Sequence, residues 1–395
     1  MYQLLQIVIT LISYIIPVDR NVLIFGSWFG RKYSDNPKYL YQFLLDNKDK
    51  RKIYWYTRNI DVYKNLKENK MPVIYGYSPK SVFLHLIAGS IYCSCSPKQD
   101  LLGIFINKKT KIFNLWHGTP IKKIGYDCIK SGIGVERMGV KEKKTILHEW
   151  GKKYCYDCYK NVISRELYYI APSQEVCNKF HSAFNVSKEN IFVVGYPKLD
   201  RLIENANIKR ERGGHVKKIL YVPTYRGEYD SIYDILSEFG FEIKNVEQWL
   251  CFYNLELDIQ LHPANELPIM MVERINTSSY INIVKYEDVY EVLNEYSYVI
   301  TDFSSIYFDA IAIGVKAILA PFGIKGYLLN DRDLYYRVDE IFKEKLSYSW
   351  NELIDNWECY SMENDSSVVS RFYTFLDSKS CFRLVRIINS KLGAE

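Results

Sequence analysis

The stretch YVITDFSSIYFDAIAIGVKAILAPF, residues 298–322, decides the fold. An apolar run at 298–305 reads as a strand that ends in polar residues and turns into a helix. A second apolar run, KAILAPF at 316–322, reads as the next strand. A helix between two strands rules out a hairpin and requires a crossover connection, so the strands are parallel. The same alternation extends towards the N-terminus. KILYVPTYR (218–226), LELDIQLHP (255–263) and YINIVKY (280–286) read as strands, and EDVYEVLNEY (287–296) as a helix. An earlier series contains the strands NVLIFGS (21–27), KIYWYT (52–57), IYCSCS (91–96), KIFNLWH (111–117), LYYIAPS (167–173) and NIFVVGYP (190–197). Its helices are NPKYLYQFLLDN (36–47), SPKSVFLHLIAGS (78–90) and SQEVCNKFHSAF (173–184).

The charged stretch at 200–217, with Gly213-Gly214 inside it, separates the two series as a linker. The expected architecture is α/β: two doubly wound parallel-sheet domains facing a central cleft. The expected divisions are an N-terminal helix over 1–17, an α/β domain over 18–205, a second over 206–365 and a helical segment over 366–395.

Composition agrees with two globular domains. The chain has 395 residues, 48% hydrophobic and 25% charged. Its 52 Lys and Arg against 46 Asp and Glu leave a net charge of +6, which suits an anionic substrate or membrane surface. No long basic run or arginine-rich arm points to nucleic acid, and KEKK at 141–144 reads as a solvated loop. Nine cysteines at irregular spacing fit a reducing compartment. Cys155 and Cys158 have the C-x-x-C form beside His148, but no second pair follows to complete a zinc site.

MYQLLQIVITLISYII, residues 1–16, carries no charged side chain, and Pro17 ends it. A helix of this length reaches ~24 Å, short of the ~30 Å hydrocarbon core of a bilayer. Gln3, Gln6, Thr10 and Ser13 form one polar stripe, so the segment reads as a helix lying in a membrane interface, with docking on the protein itself as the alternative.

In open α/β sheets, ligands bind beyond the carboxyl ends of the strands. The polar residues at those ends form a coherent set. FGSWFG (25–30) and WHGTP (116–120) belong to the first series; PTYR (223–226), His262-Pro263 and TDFSS (301–305) belong to the second. His117 is either a core residue with a hydrogen bond or a reactive group on a loop. Asp302, Ser304 and Ser305 suit an anion at a helix start, with N-capping as the structural alternative. Arg226 could add charge there, or only pair with Glu228 or Asp302. His85 reads as core; His148, His181 and His215 read as surface. There is no Walker A or GxGxxG pattern, and DRD at 331–333 lies far from the strand ends, so spacing gives no support to a metal-clamped diphosphate.

These motifs, in this order, resemble the CDP-glycerol glycerophosphotransferase family of bacterial teichoic-acid and capsule synthesis. The resemblance runs from about residue 20 to 325. It is carried by FGSWFGRKYSDNPKYLYQFL, NLWHGTPIKKIG, APSQEVCNKFHSAFNVSKENIFVVGYPKLDRL, ILYVPTYRG, QLHP and YSYVITDFSSIYFDA. It implies a GT-B-like fold and a peripheral protein of the cytoplasmic membrane face. The implied reaction transfers a polyol phosphate from a CDP-activated donor to a hydroxyl of a lipid-linked or polymeric acceptor, releasing CMP without a cofactor. His117 would be the general base, with Gly118 and Thr119 beside it at the substrate. His262, Ser304 and Ser305 would hold the donor diphosphate, Asp302 would orient the serines, and Thr224 and Arg226 would line the nucleotide side. Transfer of ribitol phosphate, or of a sugar from a nucleotide sugar, are the competing activities.

Overall fold

Parallel strands covered by helices on both faces must be apolar along most of their length. The segment AGSIYC, for example, is buried at every position. The computed structural model describes residues 2–130, 165–209, 217–226, 231–262, 265–330, 333–341, 346–360 and 366–393. The KEKK stretch, Cys155, Cys158, His148, Gly213-Gly214, His215, Glu228 and Pro263 lie outside these residues.

The first sheet contains β1 (Asp19–Phe25), β2 (Lys52–Thr57), β3 (Val73–Tyr75), β4 (Ala88–Cys93), β5 (Lys111–Asn114), β6 (Leu167–Ala171) and β7 (Ile191–Val193). Its order is β3-β2-β1-β4-β5-β6-β7, and every pairing is parallel. The remaining strands are β8 (Lys217–Val222), β9 (Ser231–Ile232), β10 (Leu255–Ile259), β11 (Asn265–Glu266), β12 (Ile281–Ile283), β13 (Tyr298–Thr301) and β14 (Lys316–Leu319). Five of them form a second parallel sheet, ordered β12-β10-β8-β13-β14, while β9 and β11 pair separately. Chain direction across each sheet reverses once, between β1 and β4 in the first and between β8 and β13 in the second. These switch points are where a doubly wound sheet opens a crevice at its carboxyl edge.

The C-terminal helix Ser380–Leu392 returns to the first sheet. Asp200 accepts the backbone N–H groups of Ser380 (2.9 Å) and Cys381 (2.7 Å) at its start, and Leu384 and Ile388 enter the core beside Leu40 and Leu44. The seven described cysteines are free thiols.

One expectation about these elements is corrected. Residues 287–296 are not one helix but two short 3-10 turns, Val289–Glu291 and Leu293–Glu295. The Asp288 carboxylate caps the first by accepting the Tyr290 N–H, and it also binds Lys38 Nζ at 2.8 Å, so a contact with the other domain sets the chain's path here. The N-terminal helix Tyr2–Ser13 forms with its polar stripe turned inward at Thr10 and Ser13. Ser13 Oγ donates to the Thr10 carbonyl (2.7 Å) and accepts from Lys108 N (3.0 Å), while Arg165 reaches Thr10 Oγ1. Val8, Leu11 and Ile12, with Ile15 just beyond the helix, are exposed. Among the described residues no helix is long and apolar enough to cross a membrane.

Candidate active site

The strand ends named above meet in one cleft of about 500 Å³ between the two sheets. His117, Gly118 and Thr119 line one side; Thr224, His262, Ser304 and Ser305 line the other.

His117 is positioned by a strained strand end. After β5, Trp116 adopts a left-handed φ of 51°, which a bulky residue takes only when its surroundings force it. Asn36 supplies that force: its side-chain amide donates to the carbonyls of Leu115 and Trp116, both at 3.0 Å. The Asn114 carboxamide holds the Trp116 N–H at 2.9 Å. The His117 ring then stacks on Trp116, with centroids 4.2 Å apart, and packs against Trp28. Its Nδ1 lies 3.0 Å from the Ser94 carbonyl. A carbonyl only accepts, so Nδ1 carries the proton and Nε2 carries the lone pair. Burial pushes the imidazole pKa down to about 4, helped by the Lys198 and Lys122 ammonium groups and opposed by the Ser94 carbonyl. At neutral pH the ring is an unprotonated base.

The floor beneath it is ionic. Lys198, fully buried, donates to the His117 carbonyl (2.9 Å) and to Tyr290 Oη (2.8 Å), and pairs with Asp309 at 2.9 Å. Asp309 also accepts from the hydroxyls of Tyr290 (2.6 Å) and Tyr373 (2.7 Å). Lys198 belongs to the first sheet's layer and Asp309 to the second's, so this network joins the halves beneath His117.

Gly118 does more than end a strand. A Cβ there would lie 2.3 Å from Ser305 Oγ and 2.7 Å from Ser305 Cβ. Glycine is what lets the backbone after the histidine touch the serine that begins the helix Ile306–Ala312.

Asp302 and Arg226 do not line the cleft. Asp302 accepts the N–H groups of Thr224 (2.8 Å) and Phe303 (2.6 Å) and pairs with Arg226 Nη2 at 2.9 Å. Arg226 also donates to the Phe322 carbonyl and lies among the rings of Phe239, Phe303 and Tyr327. The pair ties the loop after β8 to the loop after β13 from behind. A buried guanidinium needs its carboxylate, and here Asp302 supplies it.

The cleft's cations are Lys32 and Lys122, in stretches that the sequence reading quoted without assigning them a role. The Lys32 ammonium group makes no hydrogen bond or ion pair among the described residues and rests over the Trp28 ring; burial lowers its pKa. Partial loss of water lowers the His262 pKa, and the charges of Lys122 and Lys32 lower it further, so both ammonium groups act on the ring across the cleft. Three lining hydroxyls, of Ser34, Thr119 and Thr224, are buried without a hydrogen-bond partner among the described residues. Such orphaned donors are costly unless a ligand completes them. Asp35, also lining the cleft, accepts from Trp28 Nε1 at 3.0 Å, and burial raises its pKa to about 7.

Comparison with known proteins agrees with this architecture. The chain is 26% identical over 305 residues to the teichoic acid glycerol-phosphate transferase of Staphylococcus aureus (strain NCTC 8325 / PS 47), covering 74% of this chain and 71% of that protein. It is 25% identical over 391 residues to the teichoic acid poly(glycerol phosphate) polymerase of Bacillus spizizenii (strain ATCC 23059 / NRRL B-14472 / W23), covering 89% and 91%. The solved wall teichoic acid polymerase TagF shares the GT-B-like fold at a TM-score of 0.70 and 18% identity, over 99% of this chain and 94% of that one. The model of one family, CDP-glycerol:poly(glycerophosphate) glycerophosphotransferase, matches residues 8–390, and the chain belongs to that family.

Proposed function

We propose that this chain transfers glycerol phosphate from CDP-glycerol to a terminal hydroxyl of a teichoic-acid-type polymer, releasing CMP. The observation that carries the reading is a neutral, carbonyl-anchored His117 on one wall of the cleft, with two cations and a row of hydroxyls around the rest. In this reading the half over 18–205 receives the acceptor, and the half over 206–365 holds the donor. His117 Nε2 takes the proton of the acceptor hydroxyl. The hydroxyl oxygen attacks the phosphorus that bears glycerol, the bond from that phosphorus to the bridging oxygen breaks, and CMP leaves with the bond's electrons. Lys32 and Lys122 offset the diphosphate charge, His262 donates a neutral N–H, and Ser304 and Ser305 donate hydroxyls. Thr224 contacts the nucleotide side. Phosphoryl transfer needs chiefly positioning and charge stabilisation, which this set of groups supplies.

The N-terminal helix suits attachment to the cytoplasmic membrane face, where a lipid-linked acceptor would be presented. Thr10 and Ser13 are bonded to the protein, while Val8, Leu11 and Ile12 are exposed. The deciding experiment is incubation with a panel of CDP-alcohols and nucleotide sugars. CMP release with a new phosphodiester, greatest for CDP-glycerol, is the expected result. Nucleoside diphosphate release with a new glycosidic bond would overturn the assignment.

A further inference from the structure

A second depression, of about 1190 Å³, opens on the first domain and is lined by Phe29, Arg31, Arg58, Asn59, Lys98 and Gln99 with Ser96. It shares a turn with the catalytic cleft. Trp28 lines the cleft, and Phe29, the next residue, lines the groove. Both residues have left-handed φ values, 45° and 61°. The buried Asp100 carboxylate holds this turn by accepting the Phe29 N–H at 2.9 Å. The same carboxylate accepts the N–H groups of Ser94 and Cys95, so it joins the ends of β1 and β4 at the switch point. An exposed phenylalanine held in a strained conformation by a buried acid is part of a preformed surface.

The charge of the groove is one-sided. Three cations line it, and no carboxylate does among the described residues. Arg58 spends its N–H groups on neutral oxygens: the carbonyls of Phe29, Gln99 and Leu101 and the hydroxyl of Tyr56. Its positive charge is therefore fixed in place and uncompensated. The Arg31 side chain makes no hydrogen bond or ion pair among the described residues and is exposed. Cations spaced along a groove, one of them anchored, beside an exposed ring suit a chain of phosphodiesters joined by short polyols, in which anionic phosphates alternate with neutral units whose C–H groups can rest on the ring.

We infer that this groove holds the phosphate backbone of the polymeric acceptor, one or more units behind the hydroxyl that reacts at His117. The inference rests on the glycerol phosphate transfer proposed above. It deepens that reading by giving the enzyme a track for a product it has already lengthened. The strand-end turn at 28–29 would then be the point where the polymer passes from groove to cleft.

The test uses the full chain and synthetic oligo(glycerol phosphate) of one and of ten units. Arg31→Gln with Lys98→Gln removes two exposed charges and leaves the Arg58 carbonyl clamp in place. Wild-type protein is expected to prefer the ten-unit acceptor. The ratio of KM for one unit to KM for ten units should fall about two- to thirtyfold in the double variant, the effect of two exposed charge contacts. Binding of a fluorescent ten-unit oligomer, measured without CDP-glycerol, should weaken by a similar factor and more steeply at low salt. An unchanged KM ratio, or unchanged binding of the ten-unit oligomer, would overturn the track. A wild-type protein that binds the ten-unit oligomer in this groove but releases no CMP from CDP-glycerol would sink the proposed activity and leave the groove standing.

Discussion

Gly118→Ala gives the most direct measure of how tightly the two halves meet at the site. The new Cβ would lie 2.3 Å from Ser305 Oγ and 2.7 Å from Ser305 Cβ. Ordinary contact begins at about 3.4 Å, so one side must retreat by roughly 1 Å. Neither side yields easily. Gly118 follows a carbonyl held by Lys198 and precedes the buried Thr119 and Pro120. Ser305 is the N-cap of the Ile306–Ala312 helix, whose residues through Ile311 are buried. Overpacking of this kind costs about 1–3 kcal/mol. The expected result is a lower urea midpoint together with a higher KM for CDP-glycerol, because the displaced atoms belong to a wall of the cleft. Ser305→Gly removes both clashing atoms, so the double variant should recover most of the stability lost in Gly118→Ala, leaving a favourable coupling of about 1–2 kcal/mol. Denaturant curves for the four proteins of this cycle measure the coupling. Strict additivity, or a Gly118→Ala protein with wild-type midpoint and KM, would refute the contact.

His117→Ala should lower turnover by about 10²–10⁴ while equilibrium titration still detects CDP-glycerol binding. Because burial pushes the His117 pKa down to about 4, this ring should put no acid limb on kcat/KM between neutral pH and about 5; a limb near 6.5 that persists in Asp35→Asn, which removes the cleft carboxyl raised to about 7, would exclude this ring as the base. His85 should make stability pH-dependent. Its Nδ1 donates to the Ser81 carbonyl and its Nε2 accepts from Leu102 N, an arrangement only the neutral ring can make. Its folded pKa, about 4, is below the ordinary 6.5, so the unfolded chain binds the extra proton between those values. The contribution is full above pH 6.5 and fades as pH falls towards 4, a total of about 3 kcal/mol, and His85→Gln should flatten that part of the stability profile. Deleting residues 1–16 should abolish flotation with anionic lipid vesicles; a truncated protein that still floats would place membrane contact elsewhere.

The parallel architecture was legible because each strand is an apolar run followed by turn chemistry, a local signal. The line of strand ends was legible for the same reason, and it brought His117, His262, Ser304 and Ser305 to one cleft. What could not be read was direction and partnership. Arg226 follows a strand just as His117 does, but its fate depends on Asp302, 76 residues away in sequence. Lys32 and Lys122 reach the cleft from loops whose other residues carried the more obvious signals. The stripe of Thr10 and Ser13 was visible, but which side of the helix faces the protein depends on Lys108 and Arg165. The helical pattern of 287–296 lost to an ion pair with a lysine some 250 positions earlier.

That last contact shows why the site lies between domains rather than within one. Lys38 with Asp288, and Lys198 with Asp309, cross between the halves, and all four side chains are buried. Removing one partner of such a pair strands a charge and costs about 3–5 kcal/mol, yet an apolar substitute for the whole pair could match its stability. What an apolar substitute could not supply is geometry. Lys198 donates to the carbonyl of His117 itself while it grips the helix capped by Ser305. The position of His117 is therefore tied, through one ammonium group, to the wall that carries Ser304 and Ser305. Asp309 and Tyr290, on the other half, share that ammonium group with the His117 carbonyl. The arrangement that brings Lys198 to Asp309 is therefore also the one that sets His117 in a cleft with His262, Ser304 and Ser305.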